Sequence, residues 1–522
     1  MSRFKNRWKI QGILTTLTPL HIGDGKTVQR RDCAYLSPDG DAVEIVSVAT
    51  DIHERAYVPG TALKGNLRAW TENYGNDEQS IREIFGVQEA GGKAEFWDAY
   101  CVSPPADDFN PGRCWSGQRL TAIAASVAID RRTRTASARK LFYREFVPPG
   151  ISFEVTITAQ DLTKQELDLL LCALHGFNHD VTPVALGART SDHWGRLKWD
   201  LTSAREMNEA SVTAWLNAGA ASIAGAFGSF STPAAIDSLT LVTPQAGANV
   251  VFDLELEFSG LFLVNDPSQR RERNKDELVG AEILQPVGHA PTCDESGQPF
   301  LPAASFRGAL RSQAERILRT IGGPSAAWHP GEPGLTRDWE TISDVSQLSG
   351  LCLASQVFGA PGWHTPIGVT DFKLPKGSRP NYLMHEMVAI DRFTGAGAEG
   401  LKFNAKAVCQ PSFQGTVTID LDALKRADCG PGGLLLLAFT LRDLLEGDIA
   451  FGFGAGKGYG ACRAIVRAVR WPEWEKIPDA FRKDLEESDI PDLIAGKQLS
   501  DALQIKLLDW FEDLNMAAVR EE

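Results

Sequence analysis

The chain has 522 residues, 43% hydrophobic and 23% charged, ordinary for a globular protein and long enough for more than one core. Its net charge of −14 argues against a free-standing nucleic-acid binder, and no apolar run approaches the length of a membrane span. Nine cysteines without a Cys-x-x-Cys pair argue against clustered structural zinc and read as reduced thiols of a cytoplasmic protein.

In chain order, the alternation from Lys9 to Leu17 predicts a strand. A polar loop is expected from His21 to Asp51. Thr61 is expected to cap a helix holding Leu63, Leu67 and Trp70. Phe153 to Ile157 alternates as a strand, Lys164 to Phe177 reads as an apolar helix, and Leu197-Lys198-Trp199 opens a closing strand. Residues 201–245, rich in Ala, Gly and Ser, read as a joint. The plan then recurs: a strand over Phe252–Phe258, a helix burying Phe306, Leu310 and Leu318, a strand over Gly415–Leu421, a helix over Leu434–Leu445 and a strand at Ala464-Ile465-Val466. Residues 322–350, rich in Pro, Gly and Trp, read as an insertion. From Trp471 onward there are 14 acids and 6 bases, and Leu503, Leu507, Trp510, Phe511 and Leu514 stand at helical spacing.

Motifs recur with the elements. Pro59 to Arg68 matches Pro302 to Arg311, Phe85-Gly86 matches Phe358-Gly359, Asp98 matches Asp371, and Ala128 to Arg131 matches Ala389 to Arg392. A Gly-rich loop ends at Gly195 in one half and at Gly460 in the other. Collinear matches of this kind indicate two copies of one domain. The expected division is 1–245 and 246–470 for the copies and 471–522 for an acidic helical segment that packs on the body or on a partner.

Several constellations could bind an anion. Lys64 and Arg68, like Arg307 and Arg311, stand one turn apart at a helix start, where backbone amides already favour negative charge. In Gly452 to Gly460 the glycines let backbone amides approach phosphate, Lys457 adds charge, and Tyr459 could stack on a base. This is not a phosphate-binding Walker loop, because Gly458 stands where Ser or Thr is needed. The partner loop, Leu186 to Gly195, offers Arg189 and His193. Asp130 to Lys140 and Asp391 to Gly397 read as hairpins carrying Arg131 and Arg132 in one copy, Arg392 and Phe393 in the other. No histidine spacing suggests a resident metal. A loop carboxylate beside Arg30 and Arg31 could orient a hydroxyl or help hold Mg²⁺ against a phosphodiester.

Taken in order, these motifs resemble the RAMP (repeat-associated mysterious protein) superfamily of CRISPR systems. The elements that carry the resemblance are His21-Ile22-Gly23, Pro59 to Arg68, Phe85-Gly86, Asp98-Ala99, Asp130 to Gly150 with Leu141-Phe142, Glu145, Pro148 and Gly150, and the Gly-rich loop. The likeness is strongest to backbone subunits of type III effector complexes, and the tandem form resembles the fused double subunit of type III-D-like systems. It implies an α+β fold of two ferredoxin-like domains with thumb hairpin insertions. It implies that Lys64, Arg68, Arg307, Arg311, Arg189, His193, Lys457 and Tyr459 hold guide RNA. It implies that the hairpins with Arg131, Arg132, Arg392 and Phe393 displace bases. The implied partners are guide RNA, target RNA, further backbone subunits, a small subunit and a large polymerase-like subunit. Active family members carry an aspartate between the His-Ile-Gly turn and the Pro-Gly helix that promotes target cleavage with Mg²⁺ or another divalent cation; Asp32 is the best positional match and Asp24 the next. The second copy departs from the pattern, with Leu263-Val264-Asn265-Asp266 at the turn and Gly288-His289 near the catalytic position, where Asp276 and Asp294 are the nearest aspartates. A scaffold without chemistry, a metal-independent processing nuclease and a nucleotide-binding enzyme remain alternatives.

Overall fold

From Arg7 to Thr16 half-exposed and buried residues alternate strictly, which gives the first strand one apolar face. The computed structural model describes residues 5–30, 42–74, 77–102, 115–130, 135–180, 182–219, 227, 248–266, 289–294, 297–327, 342–427 and 429–482. Asp32, Arg131, Arg132, Asp276 and the helical pattern from Leu503 to Leu514 lie outside the described residues. The chain divides into unit 1 (1–126, 142–190 and 194–247) and unit 2 (127–141, 191–193 and 248–522).

The elements up to residue 217 are β1 (Asn6–Thr16), β2 (Gly23–Arg30), β3 (Val43–Val48), α1 (Gly60–Tyr74), α2 (Glu78–Phe85), β4 (Gly86–Val87), β5 (Ala90–Gly91), β6 (Ala94–Phe96), β7 (Tyr100–Cys101), β8 (Ala122–Ile129), β9 (Ala136–Phe146), β10 (Ser152–Gln160), α3 (Lys164–His175), β11 (Leu197–Asn208) and α4 (Glu209–Asn217). The main sheet runs β11-β1-β10-β6, with β7 also on β10, and all its pairings are antiparallel. Its apolar face packs Ile10, Leu14, Phe153, Val155 and Ile157 against Leu63 and Leu67 of α1 and Leu170 and Leu174 of α3. A capping box between Thr163 and Glu166 starts α3.

The later elements are β12 (Asn249–Phe258), β13 (Leu261–Phe262), β14 (Phe300–Leu301), α5 (Ala303–Gly322), α6 (Leu353–Phe358), β15 (Ile367–Val369), β16 (Phe372–Lys373), β17 (Tyr382–Ile390), β18 (Gly397–Cys409), β19 (Ser412–Asp420), α7 (Leu421–Arg426), α8 (Gly430–Glu446), β20 (Cys462–Arg470) and α9 (Asp479–Arg482). The sheet order β14-β16-β19-β12-β20, with β15 on β19, repeats that of unit 1 with one more strand, β14, at the edge. Even the irregularity recurs, since β1 slips against β11 at Gln11/Gly12 and β12 slips against β20 at Asp253/Leu254.

Three expectations need correction. The polar loop expected from His21 to Asp51 contains the antiparallel pair β2–β3, because Val43 and Ile45 bury against Ile123 and Tyr143 in a small second core. Thr61 does not cap α1: it lies inside the helix, and the Gly60 amide is satisfied instead by Asp98 Oδ1 at 2.8 Å. The joint expected from residue 201 is strand as far as Asn208, because β11 pairs along the whole of β1, and α4 follows. Beyond β20, Ile477 and Phe481 join the core of unit 2. No helix among the described residues is long and apolar enough to cross a membrane.

Candidate functional site

The two helix starts are built alike. Asp98 accepts from the Gly60 amide and Asp371 from the Ala303 amide, each at 2.8 Å, so a carboxylate from the chain itself already sits where an incoming anion would. About two turns on, Arg68 Nη1 donates to the Gly86 carbonyl and Arg311 Nη1 to the Gly359 carbonyl, each at 2.9 Å. Arg68 also pairs with exposed Glu72, and Arg311 with buried Glu315 and with the Ser355 hydroxyl. These two arginines therefore staple each helix to its Phe-Gly turn. Of the other two cations, Arg307 is paired within unit 2 with Asp192 at 2.9 Å and bonded to Ser191. Lys64 is half-exposed and makes no ion pair among the described residues.

The Gly-rich loops also share a frame. Gly195 and Gly460 have φ of 73° and 76°, and a Cβ on either would meet the carbonyl oxygen of Leu186 or Phe451 at 1.9 or 2.0 Å, so only glycine closes the loop. The cations they carry sit differently. In unit 1 the Arg189 guanidinium lies 4.7 Å from the Trp194 ring centre. His193, grouped with unit 2, is half-buried with φ of 63°. In unit 2 exposed Lys457 rests over two rings, Phe403 at 4.5 Å and Phe453 at 5.0 Å. Tyr459 is buried, stacks on His385 and bonds its Nδ1 at 2.6 Å, so its packing serves the loop's seat and not the base stacking expected of it.

Asp130 follows β8 and Asp391 follows β17, each ahead of the next strand of its sheet. Asp130 N bonds the Thr135 carbonyl and Asp391 N the Ala396 carbonyl, each at 2.8 Å. In the second hairpin Asp391 Oδ1 accepts from the amides of Phe393 and Thr394, which orders the tip. Arg392 is exposed and Phe393 is 100% exposed. Behind them Val388, Ile390 and Leu401 are exposed too, as are Val127, Ile129 and Leu141 on β8–β9.

The strongest electrostatic cluster lies at Glu145 on β9. This fully buried carboxylate accepts from Arg119 at 2.8 and 3.2 Å, Thr121 at 2.6 Å, the Val48 amide at 3.2 Å and Arg30 at 3.5 Å. Burial alone would raise its pKa, but the bonds from Arg119, Thr121 and Val48 outweigh it and hold the carboxyl below its ordinary value. Glu145 thereby ties down the C-terminal ends of β2 and β3, at Arg30 and Val48. Its carbonyl accepts from His21 Nδ1 at 2.6 Å, and burial keeps His21 below the usual histidine pKa. The corresponding place on β18 holds Lys406, which lies 4.2 Å from the Tyr382 ring centre instead. Asp24, on β2, accepts from Ser47 Oγ at 2.7 Å and the Lys26 amide at 2.9 Å. Desolvation opposes its charge, yet those bonds and Lys26 lower its pKa.

Among the described residues, the group spaced to share a metal is Asp443, Glu446 and Asp448. Asp443 already accepts from Gln313 and Arg442, and none of the three was a sequence candidate. Sequence reasoning also missed Arg119, Thr121, Phe403 and Phe453. Asp98 stood in the repeated motifs and Glu145 among the residues that carry the resemblance, but nothing in the pattern announced their partners.

A protein-family model, the RAMP superfamily, matches residues 13–198 and 290–463. The chain belongs to the RAMP superfamily. The matched regions cover both copies, and membership makes the chain a CRISPR-associated RNA-binding subunit. The superfamily includes RNA endoribonucleases. No curated protein matches the chain.

Proposed function

We propose that the chain is a guide-RNA-binding backbone subunit of a type III CRISPR effector complex, in tandem form, which also cleaves complementary target RNA through Asp32 with Mg²⁺ or another divalent cation. The observation that carries this reading is the β17–β18 hairpin, with an ordered tip and an uncovered aromatic side chain, Phe393, on a motif whose sequence recurs in the first copy. A ring held fully in water has no packing role in the chain, and it suits a wedge that unstacks a base. Strand orders β11-β1-β10-β6 and β14-β16-β19-β12-β20, with helices on one face, support a ferredoxin-like domain in each unit. Among the described candidates, Lys64, Arg392 and Lys457 are the cations that remain to meet phosphate once the stapling and paired arginines are set aside.

Asp32 follows Arg30 by two residues, next to the strand end tied to Glu145. A divalent cation, when bound, supplies charge neutralisation at the phosphodiester. The test is cleavage of a labelled, guide-complementary RNA by the reconstituted complex, wild type against Asp32→Ala, with Mg²⁺ and with EDTA. Loss of a metal-dependent product with assembly intact is expected. An unchanged product pattern would remove Asp32 as catalyst and leave the chain as a scaffold. Cleavage that persists in EDTA would instead favour a metal-independent processing nuclease.

A further inference from the structure

The main sheet of unit 1 packs one face on its helices, and the other face has a composition the motifs do not explain. Alternation and register place Arg7, Lys9, Gln11, Ile13 and Thr15 of β1 on that open face. Lys9 stands directly opposite Arg205 on β11, and Arg7 is two residues along the same face. Like charges directly opposite each other disfavour strand pairing, yet none of the three makes an ion pair among the described residues. Arg7 Nε is buried without a hydrogen-bond partner among them.

At the other edge of the face lie two exposed aromatic rings. Trp97, 54% exposed, donates from Nε1 to Thr158 Oγ1 at 3.1 Å, and Thr158 is the cross-strand partner of Lys9. Tyr100, 51% exposed, pairs with Glu154 on β10 and stacks on Tyr57 with ring centres 5.7 Å apart. The acids of this face are partly engaged: Glu95 accepts from Thr158 and Asp200 pairs with Lys198, while Glu154 stands between Ile13 and Tyr100. Unit 2 is the contrast. There the first strand offers Asp253, Glu255 and Glu257, and Arg470 and Arg467 neutralise the first two. The same face of the same fold is thus internally paired in one copy and left cationic and aromatic in the other.

We propose that the open sheet face of unit 1 is a second contact surface for single-stranded RNA, separate from the hairpins and Gly-rich loops. Arg7, Lys9 and Arg205 meet phosphates, and Trp97 and Tyr100 stack bases. Uncompensated cations beside exposed rings are what a single strand requires, because stacking tolerates any base and the charges track the backbone. An acidic protein surface would use the cations but has no need of two bare rings across the sheet.

The test is binding of a labelled polyuridine oligonucleotide to the full chain across a salt series, without guide or cleavage, so its outcome does not depend on Asp32. Lys9→Ala with Arg205→Ala should weaken binding about tenfold and reduce the salt slope by about 1.4, roughly 0.7 per phosphate contact. Trp97→Ala should weaken binding at unchanged slope, and Trp97→Phe should restore most of it. The charge variant relieves repulsion, so folding is retained; ultraviolet crosslinks within Trp97–Tyr100 give an independent readout. Unchanged affinity and slope, or no crosslink there, overturns the proposal, as does loss of a protein partner with RNA binding intact.

Discussion

Arg68 and Arg311 occupy the same place in the repeat and make the same bond to a glycine carbonyl, yet replacing them should cost different amounts. Arg311 is 17% exposed in its side chain, and its partner Glu315 is 1% exposed. Arg311→Ala strips a cation from a buried carboxylate and leaves the Gly359 carbonyl without its donor. Breaking a buried pair from one side costs about 3–5 kcal/mol. The lost neutral bonds overlap with that figure and do not add to it in full. For Arg68→Ala the acid is Glu72, 48% exposed, so the ion pair contributes about 0.3–0.5 kcal/mol. The Gly86 carbonyl bond brings the total to about 1–2 kcal/mol. Native-state hydrogen exchange reads each helix separately in the full chain. Amides of α5 should exchange faster by roughly a hundredfold or more in Arg311→Ala, and those of α1 by about tenfold in Arg68→Ala, since 1.4 kcal/mol is about a factor of ten. Equal acceleration in the two helices, or a larger effect at Arg68, would refute burial of the acid as the deciding term.

Other outcomes follow from the same contacts. Asp98→Ala and Asp371→Ala should each cost about 1 kcal/mol and raise exchange in the first turn of α1 or α5, without altering the salt dependence of RNA binding. Glu145 has a folded pKa below its ordinary 4.5, so its charge contributes stability that is fully present above about pH 4.5 and is lost as pH falls through the folded value. Glu145→Gln should therefore flatten the acid limb of unit 1 unfolding while lowering its neutral stability, measured by urea melts across pH. Lys457→Ala should leave stability within about 0.5 kcal/mol and reduce the salt slope of RNA binding by about 0.7, checked by fluorescence anisotropy.

The sequence was most legible where a pattern is local. The alternation of β1, β10 and β12 and the leucine faces of α3 and α8 are period signals, and the elements lie within a few residues of their expected places. It was least legible where a partner lies far along the chain. Asp98 caps a helix 38 residues earlier, so a local reading gave that role to Thr61. Glu145 is held by Arg119, Thr121, Val48 and Arg30, none of which stands at a telling distance from it. The pair β2–β3 was hidden because β2 is almost wholly exposed and carries no apolar alternation.

That contrast changes what the repeat means. Asp98 with Asp371, Arg68 with Arg311, and Gly195 with Gly460 are the positions the copies share, and each is consumed inside its own unit by a cap, a staple or a closed loop. A motif can therefore recur because the fold needs it, with no ligand involved. Several positions where the copies differ are left facing solvent or built into a special environment. Arg189 over Trp194 answers to Lys457 over Phe403 and Phe453, Glu145 answers to Lys406, and the cationic open face of β1 answers to the paired acids of β12. If duplication preserved this frame and divergence placed this chemistry, substitutions at these three framing pairs should lower stability in their own units, whereas substitutions at these differing positions should change RNA binding from one unit alone.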